Sequence, residues 1–427
     1  MKKIFASATL FVALGINAQF SVTIKAPDNF KEQEAILYSL NGSKDIIFTK
    51  ETIKKNTWIF KFPKNYVGMM KVVLPNTNNS FNFISENKNV EINLETNGDK
   101  VKNIIYLDEA NSLMNSIQEG SQKKEIILPA LIQIKEYYKG ISDFGKALDA
   151  EISKLTNKYD ADFSNHPFIN YYNTNYNKFL VADNSKKVKQ DDIINFIDKS
   201  NDMLETSSLL RPILVSYLNV GGNNNVTVSV DKLLETLKVE TPRGQTVLSE
   251  IIDIFDAYDM KEFKNKYLTQ AKNLKCTITD RLAKTIKTNA DVEIGATFPN
   301  YNFHSAVNTQ SKSLADVKGN NKVIVFWSST CSHCENELPQ LLAKYKDMKT
   351  KNIEVVAFSL DTDKEAYSKK IAAFPWINDS ELKGWNSSFT EKYNIHATPT
   401  YFILDANNKI INKPDHVGDV LEYFKLK

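Results

Sequence analysis

The sequence predicts an α/β layer fold over its last third, preceded by a small antiparallel β domain and a mainly helical middle domain. Three successive patterns predict this order. Apolar residues alternate with polar ones from 20 to about 100. They recur at three- and four-residue steps from 101 to about 290, and then form short apolar runs separated by helical stretches. A chain of 427 residues is long for one domain, in keeping with several.

The first residues read as a signal peptide, 1–18. Lys2 and Lys3 supply a basic start and Ile4 to Leu14 an apolar run, with Ala18 before a cut at Gln19. The run is short for a bilayer core of about 30 Å. No Cys follows it to carry lipid. The expectation is an exported, periplasmic protein with its signal peptide cleaved. The 54 basic residues less Lys2 and Lys3 leave 52 against 51 acidic ones, so no electrostatic case exists for nucleic acid.

In the β segment, 19–100, Trp58, Phe60 and Phe62 alternate with other residues. Met70, Val72 and Leu74 do the same, as do Phe81 and Phe83, then Val90, Ile92 and Leu94. Asn41-Gly42 and the polar stretch Asn76 to Ser80 mark turns. One apolar face per strand predicts an antiparallel sandwich or barrel. In the helical segment, 101–290, Ile141, Phe144, Leu148, Ile152 and Leu155 form one stripe. Ile251, Ile252, Phe255, Tyr258 and Phe263 form another, and Gly221 to Asn225 reads as a loop.

The last segment, 291–427, predicts a buried strand at Val323 to Phe326 and a helix from Cys334 to about Met348. A strand at Ile353 to Leu360 and a helix at Lys364 to Ala373 follow. A hairpin of Tyr401 to Leu404 with Ile410-Ile411 and a helix from about Val420 complete the α/β pattern.

Three cysteines occur, Cys276, Cys331 and Cys334, too few for a disulfide framework. Two of them form Cys331-Ser332-His333-Cys334 at the predicted start of a helix. There, unpaired N–H groups and the positive end of the helix dipole favour the Cys331 thiolate. A thiol with the ordinary pKa of about 8.5 is only about 3% thiolate at pH 7, so a depressed pKa matters. Cys334, three residues on, is expected to be the more buried partner that attacks a mixed disulfide. His333 between them can stabilise the thiolate by charge or hydrogen bond. A zinc site would need a second C-x-x-C or a paired His, and neither exists, so no metal is expected. A purely structural bridge across so small a loop would remove little chain entropy. Cys276 reads as a buried structural thiol, with a regulatory third thiol as the alternative.

Phe326-Trp327, the C-x-x-C, and Glu337-x-Pro339 resemble the TlpA/ResA group of extracytoplasmic thioredoxin-like proteins. Ile294 to Phe303, Phe358-Ser359-Leu360-Asp361 and Ala397-Thr398-Pro399-Thr400-Tyr401-Phe402-Ile403 resemble further segments of that family, in the same order. The likeness covers 291–427. The upstream regions resemble accessory β and helical modules that precede such domains in exported bacterial proteins.

The resemblance implies a thioredoxin-like fold and a role for each matching residue. Cys331 attacks and Cys334 resolves. Pro399 is cis and exposes the Thr398 backbone to an extended client, with Trp327 as a second client contact. Glu337 is a partly buried carboxylate that moves protons for Cys334. It implies no cofactor, protein disulfides as clients, and a membrane-bound thiol reductant as electron donor. Two positions depart from general thioredoxin: Thr330 stands where Trp precedes the first Cys, and Val325 where a buried Asp lies. The Cys-Ser-His-Cys motif is similar to the Cys-Pro-His-Cys of the periplasmic oxidant DsbA, which leaves the redox direction open. Ile324 and Ser328 replace the Pro and Thr of a peroxiredoxin motif. The rival reading is a binding module for a surface partner or glycan, with the thioredoxin-like domain as scaffold.

Overall fold

A computed structural model describes residues 19–138, 142–156, 163–181, 188–222 and 226–426. The expected signal peptide, Ile141 of the first helical stripe and Asn223 to Asn225 of the expected loop lie outside them. The chain forms two compact units, Met1–Val220 and Gly221–Lys427.

In the first unit, the two-residue alternation builds eight strands. They are β1 (Phe20–Lys25), β2 (Glu34–Asn41), β3 (Lys44–Thr52), β4 (Thr57–Phe62), β5 (Val67–Leu74), β6 (Asn79–Glu86), β7 (Val90–Asn97) and β8 (Lys100–Tyr106). Two four-stranded sheets, ordered β4-β1-β7-β8 and β3-β2-β5-β6, pack their apolar faces together. Trp58, Phe60 and Phe62 are buried there against Met70, Val72, Leu74, Phe81 and Phe83, while Ile59 between them faces outward. The β2–β3 hairpin turns through Gly42 and Ser43, with Gly42 at φ 66°, where a residue without Cβ fits. One pairing departs from the antiparallel expectation: β1 and β7 run parallel, Val22 opposite Val90 and Ile24 opposite Ile92. The helices of this unit are α1 (Glu109–Lys135), α2 (Asp143–Thr156), α3 (Pro167–Phe179), α4 (Gln190–Lys199), α5 (Met203–Thr206) and α6 (Leu210–Gly221). On α2, Leu148 is buried but Phe144 is exposed, so the predicted stripe is only partly covered.

The second unit begins with α7 (Val226–Leu237), α8 (Pro242–Ala257), α9 (Lys261–Lys272) and α10 (Asp280–Asp291). The stripe read as one helix is two. Ile251, Ile252 and Phe255 are buried on α8, Tyr258 is exposed at its end, and Phe263 lies on α9. Asp259 turns the chain between them with a left-handed backbone, φ 54°. Arg281 on α10 fastens back to Glu250 and Asp253 on α8 through two buried ion pairs, of 3.0 and 2.7 Å. These helices share their compact unit with the α/β segment.

That segment contains β9 (Asn321–Trp327), α11 (Ser332–Thr350), β10 (Ile353–Ser359), α12 (Lys364–Ile371), β11 (Ile377–Ser380) and α13 (Ser388–Lys392). It ends with β12 (Thr400–Asp405), β13 (Ile410–Asn412) and α14 (Val417–Tyr423). Its sheet runs β11-β10-β9-β12-β13, with β9, β10 and β11 parallel and β12 antiparallel to β9. Val323, Val325 and Trp327 join one buried cluster, and Ile324 and Phe326 the cluster on the other face. Burial on both faces is why β9 reads as an unbroken apolar run. This is a thioredoxin-like fold. Among the described residues no helix is long and apolar enough to cross a membrane.

Candidate active site

Strand β9, central in the sheet, delivers the chain to the sheet's end, and residues 328–331 turn it into α11. Cys331 is the N-cap of that 19-residue helix, and its sulfur accepts the Cys334 N–H at 3.3 Å. Its S–H donates to the Thr398 carbonyl at 3.2 Å. Both cysteines are free, Cys331 partly buried and Cys334 only 1% exposed.

The two thiols differ in acidity, and burial is the first cause for each. At Cys331 burial opposes the thiolate. Hydrogen bonds from the side chains of Cys334 and Thr398, and then the backbone N–H groups of Cys334 and His333, outweigh it, so its pKa falls below that of an ordinary thiol. At Cys334 burial dominates and, with the neighbouring Cys331, pushes the thiol up to about 12. At neutral pH the first sulfur is the more readily ionised and the second keeps its proton.

A carboxylate not assigned a role from the sequence holds the approach loop. Asp361 is buried just beyond β10 and accepts the Ser329 N–H at 2.9 Å, the Ser329 hydroxyl at 2.7 Å and the Ser328 hydroxyl at 3.1 Å. The Ser359 hydroxyl binds its other oxygen at 2.6 Å. Cys331 N–H in turn donates to Ser328 O, so Asp361 sets the path of the chain into the nucleophile. An acidic residue at the end of an apolar strand, next to Ser359, was the available clue.

The Thr398–Pro399 bond is cis, and the loop places the Thr398 carbonyl against Cys331. Glu337 sits one turn along α11 with its carboxylate only 13% exposed. It accepts the Val417 N–H at 2.8 Å and pairs with His416 Nδ1 at 3.1 Å, at the start of α14. The buried Tyr401 phenol lies among Glu337, Cys334 and Cys331; burial first and that carboxylate second raise its pKa.

Two expected roles are revised. Trp327 is fully buried, its ring tilted against Tyr367 and edge-on to Phe374, so it presents no surface to a client. It shares a strand face with Val323 and Val325, which point into the core. The exposed indole of this region is Trp385, in the turn whose Gly384 N–H donates to the Asp361 carbonyl. The His333 ring is exposed, and what His333 gives the Cys331 thiolate is its backbone N–H, after the Cys334 and Thr398 side chains and the Cys334 N–H. Cys276 is half-buried rather than buried and receives a weak hydrogen bond from Gln245 Nε2 at 3.5 Å. Among the described residues no three His, Cys, Asp or Glu side chains gather as metal ligands.

The Redoxin family model matches residues 293–419, the segment that carries this site. The thiol-disulfide oxidoreductase ResA of Bacillus subtilis is 24% identical over 117 residues, 27% of this chain and 64% of that protein. The C-terminal third is a ResA-like domain. ResA of Bacillus thuringiensis is 28% identical to it over 144 residues, 32% of this chain and 79% of that protein. Among solved structures, a domain of a possible thiol-disulfide isomerase from Cytophaga hutchinsonii is 28% identical. It covers 31% of this chain and 91% of its own, with a TM-score of 0.28. The thioredoxin domain of a thiol-disulfide oxidoreductase from Bacteroides vulgatus is 27% identical and covers 31% and 97%, also with a TM-score of 0.28. The chain thus spans about two thirds of the Bacillus subtilis relative's length, and the family model's match begins at residue 293.

Proposed function

We propose that the chain is an extracytoplasmic thiol-disulfide oxidoreductase that reduces or isomerises disulfides in exported proteins. The observation that carries this reading is the acidity split across one helix start, with Cys331 lowered and Cys334 held near 12. A structural cysteine pair has no use for such a difference. The basic and apolar pattern of residues 2–14 and the small Ala18 support export.

In the reaction, the Cys331 thiolate attacks one sulfur of a client disulfide. A Cys331–client bond forms, the client S–S bond breaks, and the other client sulfur leaves as a thiolate. Cys334 then gives up its proton, with Glu337 as the nearby carboxylate that takes it on, and attacks Cys331 Sγ. The Cys331–Cys334 disulfide forms and the second client thiolate departs. Two electrons have passed to the client, and a membrane-bound dithiol restores them. The Thr398 backbone beside Cys331 offers the client strand a pairing edge. In isomerisation a freed client thiolate attacks the Cys331–client bond before Cys334 does.

The test is reduction of insulin disulfides by the full chain, with Cys331→Ser as control. Turnover that depends on Cys331 is expected. A folded protein with a reduced Cys331 that leaves insulin and other disulfide proteins untouched would overturn the reading.

A further inference from the structure

The upstream helices reach into the loop that carries Thr398. Asp256 stands in the last turn of α8, where the helix dipole disfavours a negative charge. Its carboxylate is nevertheless mostly buried and fully partnered. One oxygen accepts from Lys264 Nζ on α9 at 2.6 Å. The other lies 3.2 Å from His396 Nε2 and accepts from the Asn394 side-chain amide. His396 Nε2 is also 3.1 Å from Asn394 Oδ1, which closes the cluster. Burial works against the charge, yet the hydrogen bonds from His396 and Lys264 hold the Asp256 pKa down to about 2.

The position of this cluster gives it a consequence. His396 is two residues before Thr398, whose carbonyl meets Cys331. Residues 396–399 hang between α13, to which Ile395 N–H is bonded through Thr390 O, and the start of β12. Between those ends the side chains of Asn394 and His396 meet Asp256, which lies on an element outside the segment 293–419. We infer that Asp256 is a positioning residue that, through His396 and Asn394, holds the Thr398 backbone at the distance from Cys331 that a client strand requires. The inference rests on the proposed reaction for its effect on clients, but not for its effect on the loop.

Other charges face the cluster. Lys413, just after β13, is half-buried over the Phe402 ring at 5.2 Å, and its partial burial with Lys264 nearby lowers its pKa. Lys261 pairs with Asp415 and Asp259, and Glu293 offsets Lys413. Asp256 is therefore the carboxylate shared by Lys264 and His396 in a basic neighbourhood, and neither a neutral amide nor an apolar residue replaces it.

Two measurements on the full chain decide the matter, with Asp256→Asn, Asp256→Glu, His396→Gln and the Asp256→Asn, His396→Gln double variant. Hydrogen exchange of the amides from 395 to 400 should quicken about tenfold in Asp256→Asn and in His396→Gln, with β9 and β10 unchanged. Reduction of a peptide disulfide should show KM raised about tenfold and kcat within about twofold. The double variant should be no worse than either single one, and Asp256→Glu should recover part of the loss. His396→Gln changes a partly exposed ring, so folding does not confound it. Unchanged exchange protection at 395–400 in both single variants would overturn the inference whether or not the protein turns over disulfides. A loss of kcat alone would also overturn it. If wild type reduces no disulfide, the proposed function fails while the exchange measurement still decides the role of Asp256.

Discussion

The Cys331 sulfur lies 3.2 Å from the carbonyl oxygen of Thr398, a residue 67 positions away in the chain. That contact joins the start of α11 to the loop before β12 and gives the nucleophile a backbone partner outside its own helix. In the thiol form Cys331 donates to Thr398. In the thiolate form the helix N–H groups of Cys334 and His333 take over.

The acidity split sets the pH dependence of alkylation. The Cys331 pKa is lowered, so its thiolate fraction at pH 7 exceeds that of free cysteine and is reached at lower pH. The Cys334 pKa near 12 keeps it a thiol throughout the neutral range. Iodoacetamide from pH 6 to 9 should therefore label Cys331 and spare Cys334, with a Cys331 rate that levels off before an ordinary thiol's would. Peptide mapping by mass spectrometry reads this directly. Comparable labelling of the two cysteines at pH 8 would contradict the split.

Asp361 should matter for both stability and rate. In Asp361→Asn one oxygen becomes an N–H donor facing the Ser328, Ser329 and Ser359 donors. Leaving one or two of these buried groups unsatisfied costs about 1–3 kcal/mol. Urea unfolding followed by tryptophan fluorescence suits the measurement, since Trp327, Trp376 and Trp385 lie in the second compact unit. Disulfide exchange should slow as well, because the loop into Cys331 loses its anchor. Equal midpoints and rates for the variant and wild type would mean that the serines bond water equally well.

The legible parts of this molecule are those where one local pattern determines the outcome. Val323 to Phe326 could be read as a buried strand because both of its faces meet a core. The C-x-x-C could be read because spacing alone brings the sulfurs together at a helix start. Trp327 was misread as a client contact because it adjoins the motif in sequence. The two-residue alternation with Val323 and Val325 already placed it inside. The stripe from Ile251 to Phe263 kept its period across a helix break, so periodicity could not find the turn at Asp259. The parallel pairing of β1 with β7 and the grip of Asp256 on His396 are long-range relations. They depend on partners that no local window contains.

Glu337 should prove to be a proton carrier as well as a helix anchor. Glu337→Gln can still accept the Val417 N–H, so α14 stays attached at a cost of about 1 kcal/mol or less for the lost charge near its start. What the amide cannot do is take the Cys334 proton. The resolving step should slow by about tenfold or more near neutral pH, and less at high pH, where hydroxide removes the proton. Stopped-flow measurement of mixed-disulfide decay against pH separates the two roles. A pH–rate profile superimposable on wild type would leave Glu337 with the anchoring role alone.

Removing the resolving thiol should expose the clients. The mixed disulfide normally decays at once, because the helix start holds Cys334 beside Cys331 at high effective concentration. Cys334→Ser keeps the lowered nucleophile and abolishes the second attack, so Cys331–client adducts should accumulate in cells. They should run as slow-migrating bands on non-reducing gels, vanish with reductant, and be absent from the Cys331→Ser, Cys334→Ser double variant. The burial difference fixes the asymmetry: of the motif's two thiols Cys331→Ser leaves the one that is 1% exposed and titrates near 12, and that thiol should trap nothing. Mass spectrometry of the bands should return exported proteins that contain cysteine. Trapping by Cys331→Ser in place of Cys334→Ser would reverse the two roles. A folded Cys334→Ser protein that traps no client in cells would move the binding-module reading ahead of the oxidoreductase.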